Sequence, residues 1–206
     1  MPRISAATMA EHHAERRRAL LDAARTLLAE TGEAPPVGLV ASRAGLARTS
    51  VYQYFSSVDE LLTAVVADVF PTWAAQVSER VARATTPGER VWAYVEANVD
   101  LFAGAEQAVA LALARVVDPT VLRAPMREFH ARLQVPLQEA LSDLGDPEPA
   151  AVAEHVDSLI MQATRDLRAD PGAAGHLREV VLARLRRLLG GYLGLPTATP
   201  VESVGG

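Results

Sequence analysis

Apolar residues recur at helical spacing along nearly the whole of this 206-residue chain, and nowhere do they alternate as a half-buried strand would require. That pattern predicts an all-α fold, and the Gly and Pro punctuation cuts it into about nine helices. Residues 16–31 carry Leu20, Ala24, Leu27 and Leu28 on one face, and Gly32 stops them. Pro36 stands at a helix start, where proline is tolerated, ahead of a short helix over 37–44 that Gly45 ends. A second short helix spans 48–55. A longer one starts at Val58 or Asp59, with Asp59 and Glu60 in its first turn to suit the helix dipole. Pro71 is expected to kink or divide it. Thr86 and Pro87 open the next helix as cap and first residue, running to Ala103. Residues 106–117 follow, then 119–144 with breaks expected at Pro125 and Pro136. The last two helices are read at 150–169 and 173–193, split by Asp170-Pro171-Gly172, with a disordered tail expected from 196.

Hydrophobic residues make up 50% of the chain, enough for a substantial core. With no cysteine there is no disulfide, thiolate metal site or thiol nucleophile, which fits a reducing compartment. No stretch approaches the roughly 20 unbroken apolar residues of a membrane helix, and the N-terminus lacks the apolar segment of a secretory signal. A cytoplasmic protein with no membrane partner is therefore expected. No Gly-rich phosphate loop, G-x-S-x-G elbow or H-E-x-x-H occurs, so no catalytic residues, cofactor or metal are expected, and the chain is read as not an enzyme. His130, His155 and His176 are too dispersed for a local metal motif, and His12 and His13 fall in an arm ahead of the first helix.

Net charge is −5, unevenly spread: residues 1–60 balance seven Arg against seven acids, while the remainder sets thirteen Arg against eighteen. The asymmetry mildly favours a nucleic-acid contact at the N-terminal end. Every basic residue is Arg, which a GC-rich genome explains.

Within residues 36–55, two short helices meet at a turn holding Gly45. Ala41 is small enough for a close crossing, and Val40, Ala44, Leu46, Val51 and Phe55 are spaced to fill the gap between them. This is the pattern of a helix-turn-helix, whose second helix is presented outward toward a major groove.

The run Ala41-x-x-Ala44-Gly45-Leu46, Val51-Tyr52-x-Tyr54-Phe55-x-Ser57 and Glu60-Leu61-Leu62 resembles the signature of the TetR family of bacterial transcriptional regulators. The preceding helix resembles it too, with Ala23-Ala24, Leu27-Leu28 and Glu30-Thr31-Gly32. The resemblance implies an N-terminal three-helix DNA-binding domain over 1–57 and a larger ligand-sensing and dimerisation domain over 58–195, with 196–206 as the tail. It further implies a homodimer on a palindromic double-stranded operator, acting as a repressor released by a small molecule. By the same resemblance Tyr52 and Tyr54 meet the DNA backbone, and Arg48, Thr49, Ser50 and Gln53 face bases. Arg suits guanine, Gln suits adenine, and a Thr methyl suits thymine.

Three positions depart from the family pattern. Pro36, Ala47 and Val58 stand where hydroxyl or lysine contacts to phosphate are usual. Each lost charged contact reduces counterion release, and Arg16, Arg17, Arg18, Arg43 and an arm bearing Arg3 are candidates to compensate. Cations at the start of a helix oppose its dipole, which favours a DNA role for Arg16–Arg18.

In the second domain Trp73, Trp92, Tyr94, Asn98, Phe102, Met126, Phe129, His130, Met161, Gln162 and Arg165 are candidates to line a site for a small apolar or aromatic effector. Two apolar stripes, Val152, Val156, Leu159, Ala163 and Leu167, then Leu177, Val181, Leu185 and Leu188, are candidates for a four-helix dimer interface. A ligand shifting the long helix from Val58, pivoting at Pro71, would change the spacing of the two recognition helices. The alternative is a helical ligand-binding or adaptor protein that has lost DNA binding, motivated by the three departures.

Overall fold

A computed structural model describes residues 6–165 and 174–196. Arg3, Leu167, the Asp170-Pro171-Gly172 break and the tail beyond Pro196, all named in the expectations above, lie outside the described residues. Among the described residues the chain forms nine helices and no strand: α1 (Ala6–Thr31), α2 (Val37–Arg43), α3 (Arg48–Val51), α4 (Val58–Arg83), α5 (Pro87–Ala103), α6 (Ala105–Val116), α7 (Pro119–Leu144), α8 (Pro149–Ala163) and α9 (Ala174–Leu189).

Two compact units result, one of residues 1–73 with 104–130 and the other of 74–103 with 131–206, so the division falls inside α4 and α7. The unit holding the helix-turn-helix therefore runs well past Ser57. In it α1 packs against α2 and α6, and α2 against α3. Leu20, Ala24, Leu27 and Leu28 of α1 are buried, as their spacing required. In the second unit α5 packs on α8 and α9, and α8 on α9.

Glycine ends the helices where the sequence placed it. At Gly45, φ is +69°, a conformation natural to glycine. The Gly45 N–H donates to the Ser42 carbonyl (3.1 Å) and the Leu46 N–H to the Ala41 carbonyl (2.9 Å), the paired closure of a Schellman turn. The cap read at Thr86 is present: the Glu89 N–H donates to Thr86 Oγ1 (3.2 Å), and Glu89 Oε2 accepts from the Thr86 N–H (3.0 Å). Hydrogen bonds from Thr85 and Thr86 hold the Glu89 carboxyl below its ordinary pKa. At the start of α4 the Glu60 N–H donates to Ser57 Oγ (3.1 Å), and Glu60 Oε2 accepts from the Ser56 N–H and hydroxyl (both 2.6 Å).

Several boundaries differ from the expectations. The first helix starts at Ala6, not at residue 16, because Ala6, Ala7, Ala10 and Ala14 favour helix strongly. His12 and His13 are thus helical rather than in an arm. Arg16–Arg18 lie well inside α1, where the dipole penalty on cations no longer acts. Pro71 does not divide α4, and α7 runs unbroken through Pro125 and Pro136. An interior proline costs about 3 kcal/mol, and burial of Leu133, Leu137, Ala140 and Leu141 along α7 offsets such a cost. By length and composition α4 could cross a membrane, yet half of its apolar stretch is buried inside the protein. The eighth helix closes at Thr164, whose hydroxyl turns back to the Ile160 carbonyl (2.7 Å). The last helix ends at Leu189 rather than 193, followed by a turn with Gly194 at φ +62° and Leu195 N–H on the Gly190 carbonyl (2.9 Å).

Candidate nucleic-acid interface

The second helix of the motif is shorter than its pattern: α3 covers Arg48–Val51, and the chain then continues in turns closed over three and four residues. The Gln53 N–H donates to Ser50 (3.2 Å), and the Tyr54 and Phe55 N–H groups both to Val51 (2.9 and 3.0 Å). Val51 and Phe55, 1% and 3% exposed, anchor this segment together with Val40 and Ala41 of α2, whereas Ala44 and Leu46 are only half-buried. The anchoring turns the other side outward. Arg48, Thr49 and Gln53 are exposed, Tyr52 is 51% exposed, and Ser50 and Tyr54 are half-buried.

Neither short helix has a side-chain cap. Pro36 and Ala47 occupy the capping positions in extended conformation, with no side-chain hydrogen bond. The departures noted in the sequence thus leave both helix starts without the hydroxyl acceptor that usually binds a first-turn N–H.

Of the flanking arginines, Arg16, Arg17 and Arg18 are all exposed on α1. The Arg17 guanidinium lies 5.5 Å from the centroid of the Phe55 ring. Arg43 has an intramolecular partner, Glu30, at 2.7 Å, and that hydrogen bond raises its pKa. An exposed pair of this kind is weak enough for phosphate to compete with it. Sequence reasoning missed His13. Its ring lies on Tyr54, centroids 4.5 Å apart and planes 33° apart. The signal was the i, i+4 spacing of His13 and Arg17, legible only once α1 is known to begin at Ala6.

Residues 20–65 match the family model described as bacterial regulatory proteins, tetR family. This is a TetR-family helix-turn-helix segment. Among curated proteins no significant match was found. The TetR-like fold extends over most of the chain. SCO4454, a TetR-family transcriptional regulator from Streptomyces coelicolor, has a TM-score of 0.68 at 23% identity, covering 86% of this chain and 96% of that one. AibR, solved with isovaleryl coenzyme A and operator DNA, gives 0.57 at 15% identity, covering 82% and 97%. The superantigen PfiT gives 0.63 at 20% identity, covering 82% and 95%.

The residues considered for an effector site fall into both units. Trp73, Met126, Phe129 and His130 belong to the same unit as the TetR-family segment. There Phe70, Trp73 and Phe129 form an aromatic cluster, with centroids 5.4–6.4 Å apart, and His130 lies 5.9 Å from Phe129. Phe70 and Trp73 are buried, while Met126 and His130 are exposed.

Trp92, Tyr94, Asn98, Phe102, Met161, Gln162 and Arg165 belong to the second unit. Trp92 is buried under the Arg186 guanidinium, 5.3 Å from its ring centroid. The Tyr94 hydroxyl donates to Asp157 Oδ1 (2.6 Å), and Gln134 Nε2 donates to Asp157 Oδ2. Burial first, then the adjacent Asp157 charge, pushes the Tyr94 phenol pKa well above its ordinary value. Buried Asn98 donates to the Tyr94 carbonyl (2.9 Å), and Phe102 is half-buried. Met161, Gln162 and Arg165 are exposed. Asp157 and Gln134 escaped the sequence reading because each adjoins an apolar stripe and reads as a solvated helix edge. Asp100, also in this unit, is gripped by Arg80 and Arg178. Burial opposes its ionisation, but the two arginines prevail and hold its pKa below the ordinary value.

Of the interface candidates, Val156, Ala163, Val181 and Leu185 are already buried within the protomer. Val152, Leu159 and Leu177 are half-buried, and Leu188 is 60% exposed. Exposed Met161 and Val180 lie on the same two helices.

Proposed function

We propose that this chain is a homodimeric transcriptional regulator that binds a palindromic operator through α3 and the turn following it. One observation carries the reading: Val51 and Phe55 are sunk in the core, and this presents Arg48, Thr49, Tyr52 and Gln53 together on the outside. Arg48, Thr49, Ser50 and Gln53 read bases, while Tyr52 and Tyr54 hold the backbone. Exposed Arg16, Arg17 and Arg18 add phosphate contacts, and Arg43 joins them by exchanging Glu30 for phosphate. Two copies pair through α8 and α9, where Leu188, Leu159, Val152 and Leu177 retain surface to bury. The pairing sets two recognition segments about 34–36 Å apart, or a further whole turn.

We assign the chain a repressor's role in the cytoplasm. A small apolar or aromatic effector, held by residues of the second unit around Tyr94 and Asn98, releases it by binding the DNA-free state more tightly. The presence of both a ligand and operator DNA in the AibR structure supports this pairing of activities. The competing reading is a TetR-like helical protein without DNA binding, favoured by the uncapped starts of α2 and α3.

Mobility-shift titrations with duplexes selected from the parent genome separate the two. Gln53→Ala is expected to relax preference at one base position by roughly 1–3 kcal/mol. Tyr52→Phe is expected to weaken all duplexes alike. Unchanged binding by both variants, or no duplex bound by the wild type, would favour the competing reading.

A further inference from the structure

We propose that His13 is a positioning residue for DNA binding: its ring holds Tyr54 against the operator backbone and, when protonated, adds a phosphate-facing charge. This rests on the regulator reading above and extends it to a residue outside the helix-turn-helix.

His13 and Arg17 lie one turn apart on α1, and both face the segment that follows α3. The His13 ring covers Tyr54 at 4.5 Å, and the Arg17 guanidinium covers Phe55 at 5.5 Å. His13 is exposed, so its imidazole edge stands beside the half-buried Tyr54 at the surface. A tyrosine packed on one face loses less rotamer freedom when its hydroxyl engages a phosphate. This is one repair for the contacts missing at Pro36, Ala47 and Val58.

The electrostatics add a second effect. Tyr54 faces His13 from the turn after α3. On α1 its charged or titratable neighbours are His12, Arg16 and Arg17, and Glu60 at the start of α4 feels the Arg17 charge. His12 is paired with Glu15 at 3.4 Å. A protonated His13 would set a cation beside the Tyr54 ring face and near a phosphate held by Tyr54. By linkage, DNA that favours the protonated imidazole binds more tightly as pH falls through the range where histidine titrates.

The test uses the full chain and a labelled duplex recovered by selection from a random-sequence pool, with anisotropy read at about pH 6 and about pH 8, either side of the ordinary histidine pKa near 6.5. The wild type is expected to bind several-fold more tightly at the lower pH, with its log–log salt slope steeper by about one per protomer. His13→Phe keeps the ring and loses the proton. It should match the wild type at the higher pH and lose the His13-dependent gain at the lower. His13→Ala should be weaker at both, and His12→Gln should keep the gain. Thermal melting checks that these exposed-site variants stay folded. A pH-independent wild-type affinity, a full gain retained by His13→Phe, or wild-type binding by His13→Ala would each overturn the proposal. A wild type that binds no selected duplex retires the regulator reading itself, and this proposal with it.

Discussion

Val51→Asp is expected to abolish operator binding by unseating α3, whereas Tyr52→Asp, one residue away, should abolish binding and leave the fold intact. Val51 is 1% exposed and anchors the short helix. A carboxylate there has no buried partner, and an uncompensated buried charge costs about 3–5 kcal/mol. For a chain of this size that lowers Tm by about 10 °C. Tyr52, 51% exposed, has water to solvate an introduced charge, and the charge would instead repel phosphate. Calorimetry and a mobility shift on both variants make the comparison. Equal melting temperatures would show that Val51 is not the anchor assigned to it.

Gly88→Ala is the second large effect, and it acts in the other compact unit. Gly88 lies in the first turn of α5, buried against the turn that follows α9. An ideal Cβ there would sit 1.9 Å from the Leu193 carbonyl oxygen and 3.0 Å from its carbon. Both are backbone atoms, so no rotamer change relieves the overlap, and the turn must move. That turn is tied down: Leu193 is 3% exposed, and the Tyr192 hydroxyl donates to Asp146 Oδ2 (2.5 Å). Burial, then the Asp146 contact, pushes the Tyr192 phenol up to about 12. Overpacking of this kind typically costs 1–3 kcal/mol, and the upper end, about 3 kcal/mol, is expected here. The loss should appear as a lower denaturant midpoint together with new hydrogen exchange at residues 189–195. Exchange unchanged in that segment would contradict the placement.

The two predictions also separate two kinds of legibility. The anchor role of Val51 follows from its spacing to Val40 and Phe55, a local pattern. Nothing in the sequence near Gly88 announces Leu193, because the two are joined only by packing of α5 against the chain after α9.

The order of helices, the Gly45 turn, the capping pair Thr86 and Glu89, and the outward side of α3 were all determined by the sequence itself, since each depends on backbone propensity or on residues within a few positions. The tertiary structure decided what distance along the chain conceals. It brought His13 of α1 onto Tyr54. It kept α4 and α7 continuous through Pro71, Pro125 and Pro136, where burial outweighs a missing N–H. It split the effector candidates between two compact units, and joined Asp157 and Gln134 to Tyr94. Those outcomes depend on which helix faces meet, and local periodicity says that a face is apolar without saying what will cover it.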